Sequence, residues 1–202
     1  MWIDPKARRL VVNSSNAARA DEVVTSLVKS LDGFAVALVN SQVEPAAAMS
    51  EWLSSQEPPA GFTIDRECEL KATDESKAVV RYAKHPLDID EVREHIAAGK
   101  RPTRLAMTWD DRVSFELTEG LQIRKIVFLE GTLDDAPASS GKEDDFDANA
   151  AIATGELGQL VPELLEALGG EMKLGTAAAE PAASAPAKAG AEEALVDDSA
   201  PF

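Results

Sequence analysis

Few side chains in this 202-residue chain are of the types that do covalent or metal chemistry: one cysteine, Cys68, and two histidines, His85 and His95. Cys68 has no histidine near it in sequence to take its proton, and a lone thiol in a strand-like stretch reads as a small core residue. His95 borders the apolar face formed by Ile89, Val92 and Ile96, where packing is expected rather than ligation. The two histidines and the scattered carboxylates show no recurrent metal-ligand spacing. Acid pairs such as Asp110-Asp111 and Asp144-Asp145 fit a turn and a solvated loop better than general acid/base work. Neither G-x-x-x-x-G-K-[ST] nor G-x-G-x-x-G occurs, so no glycine loop is built to hold phosphates. The sequence points to no catalytic residue, no metal and no cofactor.

What remains is charge. The chain has 20 Lys+Arg against 36 Asp+Glu, a net charge of −16, which argues against nucleic-acid binding by overall field. Ten of the 20 basic residues lie in 77–125 beside eight acidic ones, so this window is weakly positive while the chain on both sides of it is acidic. Lys84 and His85 end a strand just before Pro86. Lys100 and Arg101 follow a helix C-terminus, where cations also favour the helix dipole by about 0.3–1 kcal/mol each. Arg104, Arg112 and Arg124 occupy the polar phase of three successive strands, and Arg81 lies in a fourth. Three arginines on one sheet face would form a stripe suited to phosphates, each neutralised phosphate adding about 0.9 to the salt-dependence slope. The alternatives are a solvated lysine before a proline turn and a sheet face whose arginines pair with Asp110, Asp111 and Glu116. Nothing here offers a base-reading element, so nucleic-acid contact would be to backbone and shape.

These residues need elements to hold them. Trp2-Ile3 and Leu10-Val11-Val12 flank a turn and predict a short strand pair. Ser14-Ser15-Asn16 offers N-caps for a helix with Ala20, Val23, Val24, Leu27, Val28 and Leu31 at helical spacing. Phe34–Val39 is apolar and β-prone and is expected to be a buried strand. A helix over about 45–53 should bury Met49, Trp52 and Leu53. Strands follow around 62–64, at 67–70 and at 78–82. Asp88 with Glu91 three places on forms a capping-box pattern for the next helix, and Gly99 suits its C′ position. Leu105, Met107, Trp109 and then Val113, Phe115, Leu117 alternate as a meander. In its third strand Arg124-Lys125 shifts the phase, which predicts a bulge or a change of buried face. A helical segment at 148–168 contains Pro162, expected to kink or divide it.

The fold class that follows is α+β, an antiparallel strand meander with packed helices. Its expected parts are a body at 1–132 with the basic segment 77–128, an acidic loop at 133–147, a C-terminal helical segment at 148–172 and a disordered Ala/Pro/Glu-rich tail at 173–202. No apolar run reaches the roughly 18–20 residues of a spanning helix. The charged start lacks the apolar core of a signal peptide, and one cysteine excludes an internal disulfide. A cytoplasmic protein with no membrane association is expected.

Several segments in order carry a resemblance: MWID at the start, DGF at 32–34, EW at 51–52 with GF at 61–62, ECELK at 67–71, HI-x-x-GK at 95–100, and FDA, TGEL and ALGGE between 146 and 171. Together they resemble the RdgC family of recombination-associated proteins over about residues 1–172. Family members carry a further region before the MWID segment. The chain is therefore expected to be an N-terminally truncated copy, without one aromatic ring contact, and ring closure is expected to need that region. The resemblance implies a ring-forming subunit that pairs into a homodimer around double-stranded DNA without sequence preference. It implies a nucleoid-associated protein, not an enzyme, that limits the recombinase filament in recombination and replication-fork repair. It places basic DNA-contacting residues at Lys84, on a projecting finger, and at Lys100. The expected DNA-facing set is thus Arg81, Lys84, His85, Lys100, Arg101, Arg104, Arg112 and Arg124. The other expectation is an acidic protein-interaction module without DNA binding.

Overall fold

The computed structural model describes residues 1–14, 16–130, 132 and 142–172, without the side chains of 142–145. Expectations for the loop at 133–141 and the tail at 173–202 lie outside the described residues. The elements are β1 (Trp2–Asp4), β2 (Arg9–Val11), α1 (Ala17–Ser30), α2 (Pro45–Ser55), β3 (Phe62–Ala72), β4 (Val79–Tyr82), α3 (Asp90–Ala97), β5 (Lys100–Trp109), β6 (Val113–Thr118), β7 (Ile123–Phe128) and α4 (Lys142–Ala167).

The meander forms as the alternation demands. Leu105 stands opposite Leu117, Met107 opposite Phe115 and Trp109 opposite Val113, so one face of β5–β6 is continuous hydrocarbon. Asp110 and Asp111 turn the hairpin with left-handed φ of 49° and 52°, and Arg112 N closes the turn onto Trp109 O at 2.9 Å. β3 adds antiparallel to β5, and β4 to β3, giving a five-stranded antiparallel sheet in the order β4-β3-β5-β6-β7. The two strands expected at 62–64 and 67–70 are one long β3 whose register slips between Ile64 and Cys68. The phase shift at Arg124-Lys125 is a bulge, with Lys125 at φ 48° and a register shift opposite Ser114–Glu116.

Met49, Trp52 and Leu53 of α2, Val92 of α3, and Leu160 and Leu164 of α4 cover the apolar face of this sheet, and Leu168 just beyond α4 joins them. The α+β reading holds: a sheet with helices on one side and a polar face on the other. Cys68 is a core residue, and burial, then the neighbouring Glu69 charge, push its thiol up to about 12. It is inert as a nucleophile near neutrality.

Three local expectations change. Phe34–Val39 belongs to no strand and is not buried, and Leu38 is 91% exposed. Asp88 does not cap α3: Ile89 holds the N-cap position without a side-chain bond, and Asp90 and Glu91 supply charge to the first turn instead. α4 starts at Lys142, inside the stretch expected as loop, and runs through Pro162 as one element. Asn16 does cap α1, its Oδ1 accepting from the Ala18 amide at 2.9 Å, yet no residue of α1 is buried.

α4 ends at Gly169 (φ 81°) and Gly170 (φ 100°), where Gly170 N donates to Leu165 O at 2.8 Å. There the chain clamps onto 40–43. Val43 N donates to Leu168 O, Gln42 N to Gly170 O, and Met172 N to Asn40 O, all at 2.8–2.9 Å.

Candidate nucleic-acid interface

The polar face of the sheet collects the alternate residues of each strand. Across it run Arg81 of β4, Glu69 of β3, Arg104 of β5, Thr118 and Glu116 of β6, and Arg124 of β7, by direct strand register. Glu69 sits between two arginines: Arg81 Nε donates to Oε2 at 2.5 Å, and Arg104 Nε lies 3.9 Å from Oε1. Thr103 Oγ1 adds a donor at 2.8 Å. Burial alone would raise the Glu69 carboxyl, but the Thr103 and Arg81 hydrogen bonds and the arginine charges hold it below the ordinary range.

A second cluster lies beside the β3 slip and the β7 bulge. Lys125 Nζ reaches Glu116 at 2.9 Å and Glu67 at 3.3 Å, and these hydrogen bonds raise its pKa. Asp65 accepts from Thr108 Oγ1 at 3.0 Å and from Ser114 Oγ at 3.2 Å. These residues line an open groove of about 650 Å³ that Arg66 and Lys84 also border. His85 N donates to Arg66 O at 3.1 Å, which ties the Lys84 turn to β3 and brings the two cations to one rim. Lys84 itself holds φ 55°, a left-handed backbone uncommon for a side chain of its size. The groove's three carboxylates are engaged by Lys125 and by hydroxyls. Arg66 and Lys84 form no ion pair or side-chain hydrogen bond among the described residues.

The eight sequence-derived candidates therefore divide. Lys84 and Arg124 form no ion pair or side-chain hydrogen bond among the described residues. His85 turns its Nδ1 to Pro86 O at 2.8 Å and tilts against the Tyr82 ring. Arg81 and Arg104 share Glu69, and Arg81 remains largely exposed. Arg101 pairs with Glu44 at 2.6 Å. Lys100 donates to His95 Nδ1 at 3.0 Å, an arrangement that leaves the other ring nitrogen, 3.7 Å from Glu91, to carry the proton.

Arg112 departs most from its expected position. It leaves the polar phase at the β5–β6 turn and forks onto Glu156 of α4, Nε to Oε2 at 2.9 Å and Nη2 to Oε1 at 2.5 Å. Trp109 Nε1 donates to Glu163 Oε2 at 2.7 Å in the same seam. Glu156 is buried, and this two-pronged geometry fixes α4 against the turn. The three-arginine stripe is thus two arginines, Arg104 and Arg124, and the third is occupied in packing a helix.

Sequence reasoning missed Arg66. Its only signal was a lone cation inside the acidic run Asp65–Glu69, and no periodicity could foresee that the β3 slip turns it toward Lys84. Among the described residues no group of three or more His, Cys, Asp or Glu is placed to hold a metal ion. The chemistry on offer is donation of N–H groups to an anion: Lys84 and Arg66 at one rim, Arg124 at the β7 edge, with Arg81 and Arg104 between carboxylates.

A family model described as "Putative exonuclease, RdgC" matches residues 1–171. Curated relatives named "Recombination-associated protein RdgC" are similar over most of the chain. The one from Dechloromonas aromatica is 47% identical over 176 residues, 85% of this chain and 58% of its own length. Those from Cupriavidus necator and Bordetella pertussis are 48% and 43% identical, each over 86% of this chain and 58% of the relative. The chain spans a little under three-fifths of the length of the curated relatives it matches.

Proposed function

The chain belongs to the RdgC family, and from that premise we propose that it is a non-enzymatic nucleoid protein that holds duplex DNA without reading its sequence. In this reading it acts as a homodimer whose subunits surround the duplex, and occupation of DNA limits the recombinase filament in recombination and fork repair. The positive surface faces the duplex while the acidic remainder faces outward, so that a chain of net charge −16 can still attract DNA locally.

One observation carries the reading: a family match over nearly all the described residues coincides with cations that have no ion-pair partner among those residues, Lys84 and Arg66 at the groove and Arg124 at the edge. Exposed cations of this kind suit a phosphate backbone, and contact to the backbone carries no base sequence. The relatives' printed name favours a recombination role over the nuclease in the family model's description. Labelled duplex incubated with the protein and Mg²⁺ is accordingly expected to remain uncut.

The direct experiment compares wild type with Lys84→Glu plus Arg124→Glu in duplex-binding titrations over a salt series. The double variant is expected to bind at least about ten-fold more weakly, with a salt slope smaller by roughly 2. A folded double variant with unchanged affinity and slope would sink the assignment. The ion pairs at Glu69, Glu44 and Glu116 favour a second reading, a self-neutralised acidic module that binds a basic protein. That reading predicts no duplex binding even at low salt.

A further inference from the structure

An ion pair on a binding face can silence a cation or aim it, and the nitrogen it uses separates the two cases. A guanidinium carries one N–H on Nε and the rest on its two terminal nitrogens, all in one rigid fork. Arg101 gives a terminal nitrogen, Nη2, to Glu44, and Arg112 gives both Nε and Nη2 to Glu156. Arg81 and Arg104 differ. Both face Glu69 through Nε, at 2.5 Å and 3.9 Å, and their terminal nitrogens form no hydrogen bond or ion pair among the described residues. The Arg81 side chain is 70% exposed and that of Arg104 41%, while Glu69 between them is 13% exposed. The carboxylate is covered and the two cations beside it are not.

The backbone builds this arrangement. Arg81 of β4 and Arg104 of β5 are the direct cross-strand partners of Glu69 on its two sides. Just beyond Glu69 the β3–β5 register slips: Leu70 pairs with Pro102, which leaves Thr103 as an extra residue in β5. An extra residue re-aims a side chain. Thr103 turns its hydroxyl onto Glu69, 2.8 Å from Oε1 and 3.3 Å from the backbone carbonyl. The carboxylate is therefore held by the sheet itself as well as by the arginines. We propose that Glu69 is a positioning residue of the anion-binding face: it grips Arg81 and Arg104 by Nε and presents their terminal N–H groups, as a fixed pair, to phosphodiester oxygens. The proposal rests on the DNA-binding reading above and adds to it an acid that assists anion binding. Without Glu69 both guanidiniums keep their rotamer freedom until a phosphate takes it away, and binding bears that loss. Charge alone predicts the opposite, since removing an acid from a phosphate-binding face should tighten binding.

The test titrates a random-sequence duplex at one moderate salt concentration with the full chain and its variants, each checked for an intact fold by urea unfolding. Glu69→Ala is expected to bind about five-fold more weakly than wild type, and Glu69→Gln, which keeps an acceptor for Nε, within about two-fold of it. In a chain already carrying Arg81→Ala and Arg104→Ala, Glu69→Ala should weaken nothing, because only its repulsion of the duplex is left to remove. Glu44→Ala should bind as tightly as wild type or tighter. Glu69→Ala binding as tightly as wild type, or losing as much without the two arginines as with them, overturns the proposal and leaves DNA binding standing. So does an equal loss from Glu44→Ala. A wild-type chain that ignores duplex at low salt overturns both. If Glu69→Ala does not fold, nuclear magnetic resonance of the wild-type side chains decides. Duplex should shift the terminal N–H signals of Arg81 and Arg104 and leave the Arg81 Nε–H signal in place. Terminal signals that stay put, or an Nε–H released from its carboxylate, overturn the proposal.

Discussion

Residues 1–39 and the sheet-and-helix body from 45 onward are made of the same material, amphipathic helix and apolar β-prone sequence, and meet opposite fates. In the body, α2 and α4 press Met49, Leu53, Leu160 and Leu164 onto the Leu105/Met107/Phe115 face until all are nearly free of solvent. In the first region α1 is capped as well as any helix, by Asn16, yet buries nothing, and Leu38 stands in water. Local rules are satisfied in both. What differs is the supply of a second layer, and an apolar face without one contributes little to folding.

The widest gap between the regions should appear in stability. Leu53→Ala in the body is expected to cost about 2–5 kcal/mol in urea unfolding, from lost burial and the cavity left behind. Leu27→Ala in α1 should cost under about 1 kcal/mol, since Leu27 is only partly covered and lies outside the packed core. Equal losses would erase the distinction. The seam between the regions is the next test. At Gly169, with φ 81°, an added Cβ would meet Val43 Cγ2 at 3.0 Å. Gly169→Ala should therefore destabilise the clamp by about 1–3 kcal/mol from backbone strain and crowding. A neutral result would mean that 40–43 is only loosely held.

The smallest expected effect belongs to the polar face. Glu69 is held below its ordinary value of 4.5 by its donors and arginines. A depressed folded pKa means its contribution is complete above about pH 4.5 and fades as pH falls through the folded value. Glu69→Gln should flatten that acid limb of the stability profile and leave the neutral-to-alkaline limb unchanged.

How much of this was legible depended on whether the partner of each face was also written in a recognisable pattern. The meander was readable because Leu105–Trp109 and Val113–Leu117 alternate and two aspartates turn between them, so strand and partner lie side by side in sequence. The β7 bulge announced itself as a slipped phase. Phe34–Val39 misled because apolar character specifies a face to be covered, not that a cover is present. Asp88 misled because two good first-turn acids follow it, and charge at the helix N-terminus can replace a side-chain cap. At the interface, Lys84 and Arg124 were placed by turn and phase. Arg112 was not, because its partner Glu156 lies 44 residues away on α4. Arg66 was missed because a register slip aims it.

The division of labour between the two regions is tested most directly by mapping amide exchange along the chain with and without a random-sequence duplex. The account predicts slower exchange confined to the 82–86 turn and the β7 edge at 123–127, with 16–39 unchanged. Protection at 16–39 with the body unchanged, or no change anywhere at low salt, would contradict it.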